Sequence, residues 1–242
     1  MMGRKPFHFK NFSINQENSA LGVNTDSCIF GAFIDLDQPK NVLDVGCGNG
    51  LLINFLNQKW PYAKYIGIDN HKGSILDAKL NVKNYNNVII NECDLFEYIT
   101  DTQFDHIISN PPFFFDDLKS NNEQKNQSKH WSKKEFLKYL NKLKEWITPS
   151  GCLWILLPNN QNTNPDLFIN EGWNIIQEII FKPRENKAAH LRIYKLSRQE
   201  RTNVSTKIEL TVYEKENSFS KPVFTKLAEF YLDQALYLKN KI

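Results

Sequence analysis

The sequence predicts an α/β fold: a doubly wound, mostly parallel sheet of seven or eight strands that ends in an antiparallel hairpin. Three observations support this prediction. Short apolar runs rich in β-branched residues recur along the chain, stretches with helical spacing separate most of them, and the last runs follow one another without a helix. Alternating strands and helices favour right-handed crossovers between parallel strands, whereas consecutive strands favour a hairpin.

The individual elements follow from the same spacing. The predicted strands cover residues 41–45, 65–68, 87–91, 105–109, 152–157, 173–181, 191–196 and 207–213. Helices are expected after the glycines that end at residue 50, from residue 74 and over residues 133–146. Apolar residues at helical spacing between positions 223 and 239 predict an amphipathic C-terminal helix that packs on the body.

Length and composition fit a single domain, which we expect to span residues 1–242. With 41% hydrophobic and 13% aromatic residues, the chain can bury a complete core. The longest apolar run, residues 152–157, is too short to cross a bilayer, and the basic N-terminus lacks an apolar signal region, so we expect a cytoplasmic protein. The four cysteines are widely spaced and the histidines show no ligand spacing, so we expect no metal site.

An Asn-Pro-Pro-Phe motif follows the fourth predicted strand. The side-chain carbonyl of Asn110 and the backbone carbonyl of Pro111 can accept two hydrogen bonds from one amino group, because Pro111 and Pro112 hold the backbone extended. Phe113 offers a ring on which a base can stack. A Pro-Pro pair can also merely end a strand, but the motifs described next favour a catalytic role for all four residues.

A glycine-rich loop follows the first predicted strand and leads into a helix. Gly46, Gly48 and Gly50 form the pattern G-x-G-x-G. Such glycines let the backbone approach a ligand, and the helix beyond them presents free N–H groups. The spacing differs from the G-x-G-x-x-G dinucleotide fingerprint, which disfavours a dehydrogenase.

Carboxylates follow the next two predicted strands. Asp69 comes about 20 residues after the glycine loop, where a carboxylate can hold two ribose hydroxyls or, alternatively, cap a helix. Asp94 lies just beyond the third predicted strand. Because ligands bind at the carboxyl edge of an open parallel sheet, we expect the glycine loop, Asp69, Asp94 and Asn110 to converge there.

These motifs together resemble the class I S-adenosylmethionine-dependent methyltransferases that methylate amino groups. The matching positions are residues 44–50, Asp69, Asp94 and residues 110–113. Towards the two ends of the chain, residues 7–12, 22–26, 31–32 and 230–232 are similar to the bacterial tRNA1(Val) (adenine-N6)-methyltransferase family. This likeness covers nearly the whole chain.

The resemblance implies S-adenosylmethionine as the cofactor and tRNA as the substrate, with adenine 37 of tRNA1(Val) as the target. It implies that Asp69 holds the cofactor ribose and that Asp94 and Leu95 bracket its adenine. The residues expected to contact the cofactor are Thr25, Asp26, Asp44, Gly46, Gly48, Gly50, Asp69, Asp94, Leu95 and Asn110. The domain then divides into a segment that closes over the cofactor (residues 1–40), a catalytic core (41–196) and a C-terminal strand and helix (197–242).

The net charge of +3 conceals two basic stretches. Residues 119–144 carry eight lysines against two glutamates, and residues 182–207 carry eight Lys or Arg against two glutamates. Such stretches on an otherwise acidic chain favour a polyanionic partner, although a lysine-rich helix face can also be simply solvated. The residues expected to contact RNA are Lys129, Lys133, Arg184, Lys187, His190 and Arg192. Nothing in the sequence requires a membrane or an obligate protein partner.

Several other functions share these motifs. A methyltransferase of protein glutamine could use the same amino-group motif, but about 40 residues before the glycine loop leave little room for the helical domain such enzymes carry. Another RNA or DNA amino group is a second alternative. A non-catalytic module that binds the cofactor and RNA has no need for the Asn-Pro-Pro-Phe motif, and a nucleotide-dependent oxidoreductase conflicts with the glycine spacing.

Overall fold

Strands and helices alternate along most of the chain. The computed structural model describes residues 4–111, 132–160, 163–199, 205–215 and 218–232. In chain order the elements are β1 (Phe7–His8), β2 (Ser13–Ile14), α1 (Thr25–Phe33), β3 (Asn41–Val45), α2 (Leu51–Lys59), β4 (Lys64–Asp69), α3 (Lys72–Asn81), β5 (Val88–Glu92), β6 (Phe104–Ser109), α4 (Lys133–Trp146), β7 (Ile147–Pro158), α5 (Pro165–Asn170), β8 (Asn174–Lys182), β9 (Leu191–Ser197), β10 (Thr206–Thr211), β11 (Tyr213–Lys215), β12 (Ser218–Phe219) and α6 (Lys221–Leu227). None of the described helices combines the length and the apolar character needed to span a membrane.

Eight strands form the central sheet in the order β10-β8-β9-β7-β6-β3-β4-β5. The strands β7, β6, β3, β4 and β5 pair parallel with one another in this order. Successive residues of a strand enter different cores: Val42 and Ile108 belong to one cluster, and Leu43 and Ile107 to the other. This explains the continuous apolar runs, since parallel strands are buried on both faces. The predicted doubly wound, mostly parallel sheet is confirmed.

The predicted antiparallel hairpin is formed by β8 and β9, and β9 also pairs antiparallel with β7. The sheet continues beyond the hairpin, because β10 pairs parallel with β8. β9 already has a neighbour on each side, so β10 adds to β8. Ser197 at the end of β9 lies opposite Asn174 at the start of β8, near where β10 begins. The chain therefore reverses direction between β9 and β10, near the start of β8. As a result β10 runs antiparallel to β9 and parallel to β8.

Aromatic side chains join the N-terminal hairpin to the last described residues. Phe9 contacts Phe12, Phe55 and Tyr231, with ring centroids 4.7, 5.2 and 5.4 Å away. Phe9 and Tyr231 also form an antiparallel bridge, and Phe55 of α2 stacks on Phe230 at 4.2 Å. The phenylalanines near the N-terminus are thus part of a core that spans both ends of the described chain.

The prediction of the C-terminal helix is wrong in its extent. α6 ends at Leu227, whereas the apolar spacing predicted a helix over residues 223–239. The cause is tertiary, because the bridge between Tyr231 and Phe9 holds this part of the backbone in a strand-like pairing that a helix cannot make. The predicted residues from 233 onwards lie outside the described residues.

The segment between β2 and α1 is anchored on α3. The Asp77 carboxylate accepts hydrogen bonds from the backbone and side-chain N–H groups of Asn18 and from the hydroxyl of Ser19. Gly73 permits this close approach, since a Cβ at that position would overlap the backbone oxygen of Asn18. The N-terminal segment is therefore fixed to the body and carries α1 to the carboxyl edge of the sheet.

Candidate active site

The carboxyl ends of four parallel strands lie side by side at one edge of the sheet. β6, β3, β4 and β5 are consecutive neighbours. They lead, in that order, to Asn110, the glycine loop (residues 46–50), Asp69 and Asp94. The convergence that the sequence predicted is present in the structure.

The glycine loop has the backbone conformation that its glycines allow. Gly46, Gly48 and Gly50 have φ angles of 74°, 54° and 77°, in the left-handed region that other residues rarely adopt. A Cβ at Gly46 or Gly48 would have no atom of the described residues within 4 Å, so these residues leave open space above both glycines. Within the described part of the chain, no side chain caps the start of α2, which follows at Leu51. The loop therefore offers an open surface next to a helix N-terminus that favours negative groups.

Asp69 connects the glycine loop with the turn after β4. Its Oδ2 accepts a hydrogen bond of 2.9 Å from the Gly48 N–H, and its Oδ1 accepts one of 2.8 Å from the His71 N–H. The cap of α3 is His71, whose ring nitrogen accepts from the Ser74 N–H. The alternative interpretation of Asp69 as the helix cap is therefore wrong, and its carboxylate instead lies against the loop.

Asp44 is a buried carboxylate near the end of β3. It is 1% exposed, and neither carboxylate oxygen has a hydrogen-bond partner among the described residues. Burial, with a further contribution from the charge of Asp69, raises the pKa of Asp44 to about 8. A buried polar group without a partner costs free energy, so this position favours a ligand that brings a donor or a positive charge.

Asp94 and Leu95 extend the edge beyond Asp69. The Asp94 carboxylate accepts hydrogen bonds from the Asn70 side chain and the Phe96 N–H, at 3.2 and 2.9 Å. Leu95 is half-buried against one of the two hydrophobic cores. An apolar side chain and a carboxylate are thus adjacent at the end of β5.

Asn110 is held by its neighbours in the chain. Ser109 is fully buried, and its hydroxyl donates a hydrogen bond of 2.8 Å to the Val45 carbonyl, which ties the end of β6 to the end of β3. Pro111 is also buried. The Asn110 Nδ2 donates to the Ser27 Oγ at 3.0 Å. Its Oδ1 accepts no hydrogen bond from the described part of the chain and can serve as an acceptor for a ligand.

Thr25 and Asp26 form the first turn of α1. Asp26 Oδ1 lies 3.9 Å from His190 Nε2, and the interaction with Asp26 raises the pKa of His190. The next residue of α1, Ser27, is the partner of Asn110. One helix turn therefore contacts both the end of β6 and the hairpin of β8 and β9.

The predicted basic residues divide into two groups. Arg184, Lys187 and His190 are exposed between β8 and β9. Arg192 instead points inward, where its guanidinium lies 2.9 Å from the buried Glu178 carboxylate. The same carboxylate lies 3.6 Å from the Lys207 Nζ, and withdrawing Arg192 would still remove the closer of the two cations that compensate this buried charge. The prediction that Arg192 contacts RNA is therefore wrong.

The remaining predicted residues lie in or near the gap before α4. Lys133 is exposed at the first position of α4, behind its cap Ser132. Pro112, Phe113 and Lys129 lie outside the described residues, and their roles stay predictions. Among the residues that are described, no group of three or more His, Cys, Asp or Glu side chains is arranged to hold a metal ion.

Two residues at this edge have no role predicted from the sequence. Ser27 carries no recognisable signal, because it lies 83 positions before Asn110 and a serine in the first turn of a helix is ordinary. Tyr139 of α4 is fully buried, and burial, with a smaller contribution from the charge of Asp44, raises the pKa of Tyr139. The sequence predicts a helix over residues 133–146 but gives Tyr139 no role.

A cavity of about 530 Å³ lies elsewhere, between α5 and the starts of β8 and β10. Trp173, Ile176 and Lys207 are among its lining residues. It is at the edge of the sheet opposite the carboxyl ends of the parallel strands. Its position separates it from the convergent polar groups, which mark the better candidate site.

One known family matches most of this architecture. The family described as methyltransferase small domain matches residues 19–171, more than half of the chain. The matched region begins before α1 and extends through α5, so it contains the glycine loop, Asp69, Asp94 and Asn110.

Curated relatives are similar over nearly the whole chain. A tRNA1(Val) (adenine(37)-N6)-methyltransferase of Dyadobacter fermentans is 29% identical over 232 residues, which cover 93% of this chain and 97% of the relative. A protein of the same name from Vibrio campbellii is 27% identical over 233 residues, which cover 94% and 96%.

Solved structures share the fold at low identity. A predicted O-methyltransferase from Agrobacterium tumefaciens has a TM-score of 0.60 at 13% identity, covering 84% of this chain and 96% of its own. The ribosomal protein L11 methylase from Lactobacillus delbrueckii subsp. bulgaricus has a TM-score of 0.54 at 15% identity, covering 74% and 81%. At this identity the likeness concerns the fold alone.

Proposed function

The chain belongs to the methyltransferase small domain family, and from this premise we propose that it transfers a methyl group from S-adenosylmethionine to the exocyclic N6 of an adenine in tRNA. We place the target at adenine 37 of tRNA1(Val), which the names of the curated relatives specify. One observation carries the proposal: Asn110 and Pro111 stand at the end of β6, directly beside the glycine loop at the end of β3.

Asn110 and Pro111 supply the acceptors that an amino group requires. One N–H of the adenine amino group donates to Asn110 Oδ1 and the other to the Pro111 carbonyl. Val45 and Ser109 are paired in register, so the glycine loop starts next to these acceptors. A base held by Asn110 and Pro111 thus faces a cofactor held by the loop.

The residues on the other side of this edge fit S-adenosylmethionine. Asp44 has two buried oxygens that find no hydrogen-bond partner among the described residues, and Asp69 adds a second carboxylate, which together suit the positive charge and the hydroxyl groups of the cofactor. The open space above Gly46 and Gly48 admits a ligand close to the backbone. The uncapped start of α2 suits the cofactor carboxylate.

The adenine and the outer side of the cofactor need further contacts. We assign the adenine to the apolar side chain of Leu95 and the adjacent Asp94. Thr25 and Asp26 belong to the N-terminal segment, residues 1–40, which closes over the cofactor in this proposal. The anchoring of that segment on α3 supports this placement.

The reaction demands orientation more than it demands an acid or a base. Bound S-adenosylmethionine supplies an activated methyl group on a sulfonium. The N6 nitrogen of adenine is a weak nucleophile because its lone pair is delocalised into the ring. Hydrogen bonds to Asn110 and Pro111 favour a more pyramidal nitrogen and direct its lone pair at the methyl. The proton that the methylated nitrogen releases passes to water, since amide oxygens are too weak as bases to retain it.

Basic residues around the edge are assigned to the tRNA backbone. Arg184, Lys187 and His190 form one exposed group on the hairpin turn, and Lys133 is exposed at the start of α4. Lys129, which lies outside the described residues, is assigned to the same role as Lys133. Extruding a base costs a few kcal/mol, and stacking on Phe113 offsets about 1–3 kcal/mol of that cost.

To test the proposal, the purified protein is incubated with labelled S-adenosylmethionine. Parallel reactions contain unmodified tRNA1(Val), other tRNAs, DNA or a release-factor protein. Mass spectrometry of the products should find N6-methyladenine at position 37 of tRNA1(Val). The Asn110→Ala variant should lose turnover while it still binds the cofactor, and the exposed control Asn84→Ala should retain both.

Three results would contradict the proposal. Label in the release factor would replace tRNA with a glutamine amide as the substrate, and label in DNA would replace it with a DNA amino group. Normal turnover by Asn110→Ala would remove the assigned catalytic role of Asn110.

A further inference from the structure

Ser27 and Asn110 are joined by a hydrogen bond although 83 residues separate them in the chain. The Asn110 Nδ2 donates to the Ser27 Oγ at 3.0 Å, and Ser27 is only 8% exposed. The bond connects the first turn of α1 to the carboxyl end of β6. It therefore brings the N-terminal segment into contact with the side chain that the proposed function places on the substrate.

Contacts of the neighbouring residues fix the backbone of Asn110 but not the rotation of its side-chain amide. The backbone is held on one side by the bond from Ser109 to Val45 and on the other by the buried Pro111. The terminal torsion of an asparagine is broad and roughly two-fold, and its rotation exchanges Oδ1 and Nδ2. In the exchanged state an NH2 would face the amino group of the substrate, so two donors would meet and the acceptor would be lost.

The backbone that carries Ser27 is itself held in place. The Ser27 N–H donates a hydrogen bond of 2.9 Å to the Oδ1 of Asn24, the residue that caps the start of α1. At the other end of the helix, the Lys59 ammonium donates to the carbonyls of Ala32 and Ile34, both at 2.8 Å. Ser27 is therefore attached to a helix that is fixed at both termini.

We infer that Ser27 is a positioning residue, which accepts a hydrogen bond from Asn110 Nδ2 and so keeps Asn110 Oδ1 directed at the amino group to be methylated. The identity of that amino group rests on the proposed function, whereas the fixed orientation of Asn110 does not.

Turnover of three variants tests the inference. Ser27→Ala removes the acceptor, and losing the partner of this half-buried donor should lower kcat on tRNA about 5- to 100-fold. The KM for S-adenosylmethionine should stay within about twofold, because Ser27 is assigned no cofactor contact. Ser27→Thr keeps a hydroxyl and should restore most of kcat. Asn24→Ala removes the helix cap but not the Ser27 hydroxyl. It should lower the Tm and cause a smaller loss of kcat than Ser27→Ala.

A second measurement is independent of turnover. The side-chain NH2 signals of Asn110 can be assigned in an NMR spectrum by their absence in Asn110→Ala. In the wild type they should exchange slowly with water, and in Ser27→Ala they should shift and exchange at least about 10-fold faster, because a protecting hydrogen bond is gone.

Each outcome decides something specific. Unchanged Asn110 signals in Ser27→Ala, or kcat within twofold of the wild type, would overturn the inference. The same holds if well-folded Ser27→Thr remains as slow as Ser27→Ala, or if Asn24→Ala reproduces the whole loss of kcat. If the wild type methylates no tRNA, the proposed function fails, and the NMR comparison alone then decides the role of Ser27.

Discussion

The Gly48 N–H donates a hydrogen bond of 2.9 Å to the Asp69 Oδ2, which joins the loop after β3 to the end of β4. The bond brings a carboxylate against a glycine whose left-handed backbone leaves open space above it. It links the two features that the sequence offered separately, a glycine-rich turn and an acidic strand end, into one surface for a ligand.

Replacing Asp69 by alanine should weaken cofactor binding. The substitution removes the partner of the Gly48 N–H as well as the acceptor assigned to the ribose, and a hydrogen bond to a charged group contributes about 1.5–3 kcal/mol. We therefore expect the Kd for S-adenosylmethionine, measured by calorimetry, to rise at least about 10-fold. Asp101→Ala, at an exposed position before β6, is the matched control and should leave the Kd unchanged. An unaltered Kd in Asp69→Ala would refute the assigned role.

Replacing Asp44 by asparagine should stabilise the cofactor-free protein and weaken cofactor binding. Burial and the charge of Asp69 raise the pKa of Asp44 from 3.8 to about 8, so the folded state retains a proton that the unfolded chain has released. Folding therefore becomes less favourable for the wild type as the pH rises from about 4 to about 8. Asparagine does not titrate, so the gain in Tm over the wild type should grow across this window.

A second buried aspartate provides the control for Asp44. Asp77 accepts hydrogen bonds from Asn18 and Ser19, so Asp77→Asn should lower the Tm at neutral pH rather than raise it. Thermal unfolding of both variants at several pH values separates the two cases. A loss of stability in Asp44→Asn that does not depend on pH would show that the carboxylate has a structural partner.

Replacing Gly73 by alanine should destabilise the protein and slow turnover. In a free helix the change would favour folding by up to about 1 kcal/mol, but here the added Cβ would overlap the Asn18 backbone oxygen. The N-terminal segment must then shift, at a cost of about 1–3 kcal/mol. The sign of the change in Tm therefore distinguishes helix propensity from docking of the segment, and an increase in Tm would contradict the docking.

Reversing two charges on the hairpin turn should weaken tRNA binding and reduce its salt dependence. Arg184→Glu with Lys187→Glu places carboxylates where phosphate contacts are assigned, so the slope of log Kd against log salt should fall by about 1–2. Lys40→Glu with Lys64→Glu makes the same charge change at the opposite edge of the sheet and is the matched control. Equal effects of the two pairs would mean that net charge, rather than the hairpin turn, determines affinity.

The sequence by itself determined the elements whose signals are local. Three apolar residues, two of them valines, within positions 41–45 predict β3, and three close glycines that permit left-handed φ angles make the glycine loop recognisable. The meeting of Asp69, Asp94 and Asn110 at one edge also followed from the sequence, since the ends of parallel strands must lie on the same side of a sheet.

Only the tertiary structure decided the contacts between distant parts of the chain. Arg192 belongs to an internal ion pair with Glu178, α6 ends early because Tyr231 pairs with Phe9, and Ser27 meets Asn110 across 83 residues. The physical reason is the same in each case. Spacing along a chain reports which face of its own element a residue occupies, whereas hydrogen-bond and ion-pair partners depend on which elements pack together, and that depends on the whole core.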